Sequence, residues 1–379
     1  MRRSGTKPIN RRTFISIAAG GLAVAAGAPR LAHARPAEES PGPSASTAES
    51  LAKKLPRWRG FNLLEKFTKD RSGPFIERDF DWMARWRFDF VRLPMDYRCW
   101  TDPERPAVLD GERGEKCLRE IDEAVELGKR YGIHVDLNFH RGPGYCVNPP
   151  KEPLDLWKDE KALEAFCAQW RSFAKRYKGI PSSRLSFDLI NEPGDLRPAD
   201  YSKVVRAAVE AIRAEDPARL VIADGIRWGR EPVAELVDLK IGQSTRGYEP
   251  MRISHHRASW VGGSDSWPEP EWPLREEGSK VFDVERLRRE RIEPWKALEA
   301  KGVGVHVGEW GAFNRTPRKA VLSWMRDCLS LWKEAGWGWA LWNLRGSFGI
   351  VDSGRAETKY EDFEGHKLDR EMLELLKEF

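Results

Sequence analysis

Residues 114–140 read GEKCLREIDEAVELGKRYGIHVDLNFH, and two periodicities meet in that stretch. Apolar side chains at Cys117, Leu118, Ile121, Ala124 and Val125 recur every three to four residues, which predicts an amphipathic helix over 114–131. The run IHVDLNFH that follows is short and apolar, which predicts a strand over 133–140. The same alternation continues on both sides. Strand-like runs stand at 59–64 (RGFNLL), 88–94 (FDFVRLP), 185–192 (LSFDLINE), 220–224 (LVIAD), 251–255 (MRISH), 303–309 (VGVHVGE) and 339–344 (WALWNL). Helix-like patterns fill the intervals, for example 160–178 and 283–301. Eight such units point to an α/β fold, a single (β/α)8 barrel over 56–379. A doubly wound sheet would place a glycine-rich phosphate loop after its first strand, and GFNLLEKF is not one.

Outside the barrel the chain reads differently. Asn10-Arg11-Arg12-Thr13-Phe14-Ile15-Ser16 resembles a twin-arginine motif, an Ala/Gly-rich apolar run follows, and Ala32-His33-Ala34 fits a cleavage site. Residues 1–34 are therefore expected to be an export signal, leaving a periplasmic or extracellular protein with no membrane span after its removal. Residues 35–55, rich in Pro, Ser, Ala and Glu, are expected to be a flexible linker. The formal charge of +5 comes from the first segment, whose six Lys and Arg face no acid; the rest is close to neutral, which argues against a nucleic-acid partner. Five cysteines form no CxxC pair, so a structural zinc site is not supported; Cys99 and Cys146, in successive loops, are candidates for a bridge.

The polar residues concentrate where a barrel builds its sites. Arg92, His140, Asn191, Glu192, His255, Glu309 and Trp342 all fall at or near the C-terminal ends of expected strands. Glu192 closes the fourth strand in Asn191-Glu192-Pro193, and Glu309 closes the seventh in Gly308-Glu309-Trp310-Gly311. Two carboxyl groups facing each other across a barrel mouth are what glycoside cleavage needs. One gives a proton to the leaving oxygen; the other, ionised, meets the oxocarbenium-like centre.

From about residue 58 to 353 the chain resembles glycoside hydrolase family 5, the cellulase-type retaining (β/α)8 glycosidases. FVRLP, NFH, DLINEP, ISHH, HVGEWG and ALWNLR carry the resemblance, in that order along the barrel. It implies that Glu192 is the acid/base and Glu309 the nucleophile. Arg92 would hold Glu309 ionised, Asn191 would bind the sugar 2-hydroxyl, and His140 would bind a ring hydroxyl. His255 would hydrogen-bond near the carboxylates, and Trp342 would lie under the ring. The expected substrate is a β-glucan or related β-linked oligo- or polysaccharide, with no cofactor or metal, and the expected state is a monomer. In one respect the sequence departs from the family. A tyrosine usually follows the sixth-strand histidine and bonds the nucleophile, whereas the run here is Ser254-His255-His256-Arg257.

Rival readings are a carbohydrate-binding barrel that no longer cleaves, and a metal-dependent hydrolase using His140, His255, His256 and His306. Mannan, xyloglucan and short β-glucosides remain compatible substrates, because a fold and a carboxylate pair do not fix subsites. Seventeen tryptophans against seven tyrosines suit sugar stacking. Most are expected to pack helices; the loop aromatics Trp100, Tyr145, Trp157, Trp260, Trp267 and Trp272 are the subsite candidates. Asp136 and Asp188 are expected to satisfy hydrogen bonds inside the barrel.

Overall fold

The computed structural model describes residues 45–379, apart from 103, 277 and 279. The expected export signal and the first part of the expected linker lie outside the described residues. Eight strands make the barrel: β1 Arg59–Asn62, β2 Phe90–Asp96, β3 His134–Gly142, β4 Leu185–Asp188, β5 Leu220–Asp224, β6 Gly242–Gly247, β7 Val305–Trp310 and β8 Trp339–Leu341. Each pairs in parallel with the next, and β8 pairs with β1, so the ring closes. The expected (β/α)8 barrel is the fold.

Among the described residues eight longer helices accompany them: α1 Ala45–Lys53, α2 Glu77–Arg85, α3 Gly111–Tyr131, α4 Glu160–Arg176, α5 Pro198–Glu215, α6 Glu293–Glu299, α7 Arg318–Ala335 and α8 Arg370–Glu378. α3 buries Leu118, Ile121 and Val125, the stripe its sequence predicts. The helix expected over 283–301 is interrupted. A turn at Val284–Leu287 runs into a π-type turn, Arg288–Ile292, before α6 begins with Pro294 in its first turn. Proline lacks the N–H that would continue the ladder and crowds the preceding carbonyl, so the turn widens. No helix among the described residues is long and apolar enough to cross a membrane.

Two expectations are corrected. The sixth strand is Gly242–Gly247, not 251–255; Met251–Ser254 forms one helical turn. GQSTRG carries no aliphatic side chain, yet it is buried, because its polar groups are satisfied inside. Gln243 both accepts from and donates to the Val233 backbone, at 2.9 and 2.8 Å, and Thr245 Oγ1 donates to Gly229 O at 3.0 Å. Within the span expected to be a flexible linker, residues 45–53 instead form a helix. α1 buries Ala48 and Ala52, Leu55 follows it into the core, and Gly304 N donates to Ala52 O at 2.6 Å. With Trp58, Ala52 and Leu55 meet Phe90, Leu220, Ile222 and Ala340 and close the N-terminal end of the barrel.

All five cysteines are free thiols, so the proposed Cys99–Cys146 bridge is absent.

Candidate active site

Alternation along parallel strands sends every second side chain into the barrel, and near the C-terminal ends those side chains are charged. Arg92 of β2 is fully buried. Its guanidinium donates to Asp188 Oδ2 at 2.7 Å, Asn62 Oδ1 at 3.1 Å, Asn191 Oδ1 at 2.8 Å and Glu309 Oε1 at 2.6 Å. All but the Asn62 contact join elements that come together only when the ring is closed. Asp188 therefore lies inside the barrel as expected, and Asp136 does too, accepting from Ser186 Oγ at 2.6 Å.

A second guanidinium, Arg246 of β6, sits opposite. Its Nε donates to Glu192 Oε1 at 3.0 Å, Nη1 to Asp224 Oδ1 at 2.9 Å, and Nη2 to Asn191 Oδ1 at 2.8 Å and Glu309 Oε1 at 3.4 Å. Nη2 also contacts Asp224 Oδ2. Space for this group is made by two glycines. A Cβ on Gly308 would stand 2.9 Å from Arg246 Nη1 and 2.5 Å from Ser244 Oγ, and one on Gly229 would stand 2.6 Å from Arg246 Cγ. Arg246, Asp224 and Tyr248 were not singled out from the sequence. The usable signal was a carboxylate ending LVIAD; the strand bearing Arg246 had no apolar signature at all.

Glu309, 3% exposed, is met by three donors. Oε1 accepts from both arginines, and Oε2 accepts from Tyr248 Oη at 3.1 Å. The expected departure at the sixth strand is thereby corrected. A tyrosine does bond this carboxylate, two residues beyond Arg246, and it was overlooked because the strand was placed too late. Burial and the charge of Glu309 push the Tyr248 phenol well above its ordinary value, so it donates throughout the working range. His255 is displaced in consequence. It follows the helical turn, lies 2.8 Å by Nδ1 from Ser254 Oγ, and packs edge-on to Tyr248 at 5.0 Å instead of meeting a carboxylate.

Glu192 is the more open of the two, with its side chain 16% exposed. Its backbone is left-handed, φ 48°, a costly conformation for a residue with a Cβ. Two bonds hold it there: Glu192 N donates to Asp224 Oδ2 at 2.8 Å, and Tyr145 Oη donates to Glu192 O at 2.7 Å. Oε1 faces Arg246, and no other described group bonds Oε2. Burial, then the charge of Glu309, push the Glu192 carboxyl up to about 8, with Arg246 pulling the other way. Glu192 therefore holds a proton at neutral pH beside a carboxylate with three donors.

Asn191 links the halves. Its Oδ1 accepts from both arginines, and Nδ2 lies 3.5 Å from His140 Nε2. His140 Nε2 is also 2.7 Å from Asn148 Oδ1, while Nδ1 is buried without a partner. Burial keeps this imidazole neutral, lowering it to about 3. Half-buried Trp342 lies 5.7 Å from His140 and 5.5 Å from Phe67, ring centre to ring centre. His306, by contrast, lies at the other end of β7 against Phe90 and the Trp58 carbonyl, so the four histidines of the metal reading do not converge.

Of the loop aromatics, Trp100 is core, donating to Gln169 Oε1 at 2.8 Å, and Trp272 is tied to Asp327 of α7 at 2.7 Å. Trp260 is 57% exposed and stands edge-on to Phe313 at 4.9 Å. Trp228, unremarked in the sequence, is 40% exposed. Its backbone N–H donates to Pro193 O at 2.8 Å and that of Arg227 to Gly194 O at 2.9 Å, so two successive left-handed residues fasten this residue to the segment bearing Glu192.

Residues 51–347 match the family model described as Cellulase (glycosyl hydrolase family 5). The chain is 26% identical to endoglucanase C of Acetivibrio thermocellus over 303 residues, 74% of this chain and 87% of that protein. It is 23% identical to cellodextrinase A of Ruminococcus flavefaciens over 280 residues, 71% and 79% of the two chains. A crystal structure of a glycoside hydrolase superposes with a TM-score of 0.80 at 41% identity, covering 85% of this chain and 99% of that one.

Proposed function

Because the chain belongs to glycosyl hydrolase family 5, we propose that it cleaves β-glucans and their soluble oligosaccharides by double displacement, with Glu309 as nucleophile and Glu192 as acid/base. One observation carries this reading: Glu192 and Glu309 bond the same guanidinium, so a single sugar ring in the mouth faces both.

In the first step a Glu309 oxygen attacks the anomeric carbon, the glycosidic C–O bond breaks, and the Glu192 proton passes to the departing oxygen. In the second, Glu192, now ionised, takes a proton from water whose oxygen attacks the same carbon, and Glu309 leaves as a carboxylate. Tyr248 and Arg92 keep the nucleophile aimed. Asn191, fixed from both sides, offers its amide to the sugar 2-hydroxyl, and His140 beside it is the candidate partner of a ring hydroxyl. Trp342 is the apolar face beneath the ring being cleaved. Trp228, fastened beside the acid, is placed for the leaving sugar. The twin-arginine signal suits export of a folded barrel to a compartment where such glycans are met.

Incubation with a panel of β-linked glucans, followed by NMR of the first product, tests the reading. The expected result is released oligosaccharide with its β-configuration retained. An initial α-product, or no product from any β-glucan, contradicts it.

A further inference from the structure

Two arginines enter the mouth, and they do not do the same thing. Among the two active carboxylates Arg92 touches Glu309 only, whereas Arg246 touches both Glu192 and Glu309. We propose that Arg246 is a positioning residue that stays bonded to the one negative charge shared by the two carboxylates as it moves between them, and that fixes the acid proton on the cleft-facing oxygen of Glu192. The proposal rests on the double-displacement reading above and assigns a role that the reading itself does not require.

The argument is one of charge and atoms. Before the reaction Glu309 is ionised and Glu192 is protonated. Once the Glu309–carbon bond has formed and the glycosidic bond has broken, Glu309 is a neutral ester and Glu192 carries the charge. The water step reverses this. One negative charge thus crosses the cleft twice per turnover. A cation held to a single carboxylate would favour one state and oppose the next. Arg246 has Nε on Glu192 Oε1 and Nη2 on Glu309 Oε1, so the charge changes place without losing its partner. Asp224 locks the fork by accepting from Nη1 at 2.9 Å and contacting Nη2, and the same carboxylate accepts the Glu192 N–H. Guanidinium and acid are therefore set from one anchor, in a buried site where a preoriented charge has its largest effect. Because Glu192 Oε1 already accepts from Nε, its proton resides on Oε2, the oxygen left for the glycosidic bond.

The groups that set the pH response are these. Asp224, Glu309 and Asp188 face the pair as acids, Arg92 as the other cation, and Tyr145 and Tyr248 as phenols. Asp136 and His140 of β3 also feel the Arg246 charge. The Arg246 cation lowers Glu192, so its loss raises the acid. The alkaline limb of kcat/KM, which falls as Glu192 loses its proton, then moves up in pH.

The test compares wild type, Arg246→Lys and Arg246→Met on aryl β-cellobiosides with good and poor leaving groups. Circular dichroism and melting confirm folding, and Arg246→Met combined with Asp224→Asn serves where a bare Asp224 prevents it. For Arg246→Met against wild type, and for the double variant against Asp224→Asn alone, kcat/KM is expected to fall about 100-fold, with the alkaline limb shifted upward by about one pH unit. Arg246→Lys keeps the charge and loses the fork; its limbs are expected to stay in place while its rate falls. A loss of rate with the alkaline limb unmoved in both comparisons marks Arg246 as structural and overturns the inference. An inactive wild type, or a fully active Glu309→Ala, would instead overturn the double-displacement reading.

Discussion

At its lower end the barrel is filled by Phe90, Leu220, Ile222 and Ala340 and capped by Ala52, Leu55 and Trp58. Two residues further along the same strands, Phe90 gives way to Arg92 and Ile222 to Asp224. The side chains point the same way, because strand alternation has period two, but the chemistry inverts. Below, burial of apolar surface stabilises the ring without needing partners. Above, every charge must be matched, and Arg92, Arg246, Asp188, Asp224, Asn191 and Glu309 match one another. A buried ion network of this kind adds little stability over an apolar core; its retention is a sign of use. His134, 3.7 Å from Trp58, and His306, beside Phe90, are held neutral by burial at the closed end.

The sharpest way to break the comparison is at Glu309. Glu309→Ala should lose roughly 10⁴–10⁶-fold in kcat while circular dichroism shows the fold kept; a variant that fails to fold would put this residue among the structural ones. Glu192→Ala should lose about 10²–10⁴-fold on glycosides with poor leaving groups and far less on activated ones, because only the former need a proton. Equal losses on both would remove Glu192 from the acid role. At the other end the effects should reverse. Leu55→Ala should destabilise the fold by about 2–5 kcal/mol, read by chemical denaturation, with kcat unchanged at a temperature where the variant is folded. Trp228→Ala should raise KM for longer oligosaccharides by roughly 3–10-fold, as expected for the loss of one stacked ring, and leave hydrolysis of small aryl glycosides alone.

The smallest effect concerns pH. His134 and His306 are lowered to about 3, whereas a free imidazole titrates near 6.5. At these two sites the unfolded chain therefore binds more protons than the native one between those values, so their contribution to stability falls as pH drops below about 6.5. The slope should be shallower in His134→Gln, followed by thermal melting from pH 7 to 4. An unchanged slope would mean that the closed end does not hold this histidine neutral.

How far the sequence could be read follows the same division. Strands that bury aliphatic side chains, such as β2, β3 and β5, stand where FDFVRLP, IHVDLNFH and LVIAD place them. β6 does not, because GQSTRG is buried through hydrogen bonds and ion pairs, and hydrophobic periodicity is blind to that. The same blindness hid Arg246 and Tyr248, and it pushed the strand forward onto MRISH, whose apolar residues pack a helical turn. α1 was hidden by small residues: ASTAESLAK reads as a tether, and only the spacing of Ala48, Ala52 and Leu55 betrays a buried face. Glu192 and Glu309 were legible because each ends an apolar strand. The scaffold that holds them was not, because it is made of residues that a sequence reader assigns to water.

The most direct test of the carboxylate pair is to trap the sugar on the protein. Incubation with a fluorosugar cellobioside that forms the glycosyl-enzyme but releases it slowly, followed by proteolysis and mass spectrometry, should place the label on the peptide bearing Glu309. A label on any other residue, or an intact chain with no label despite catalytic turnover of ordinary glucans, would contradict the account.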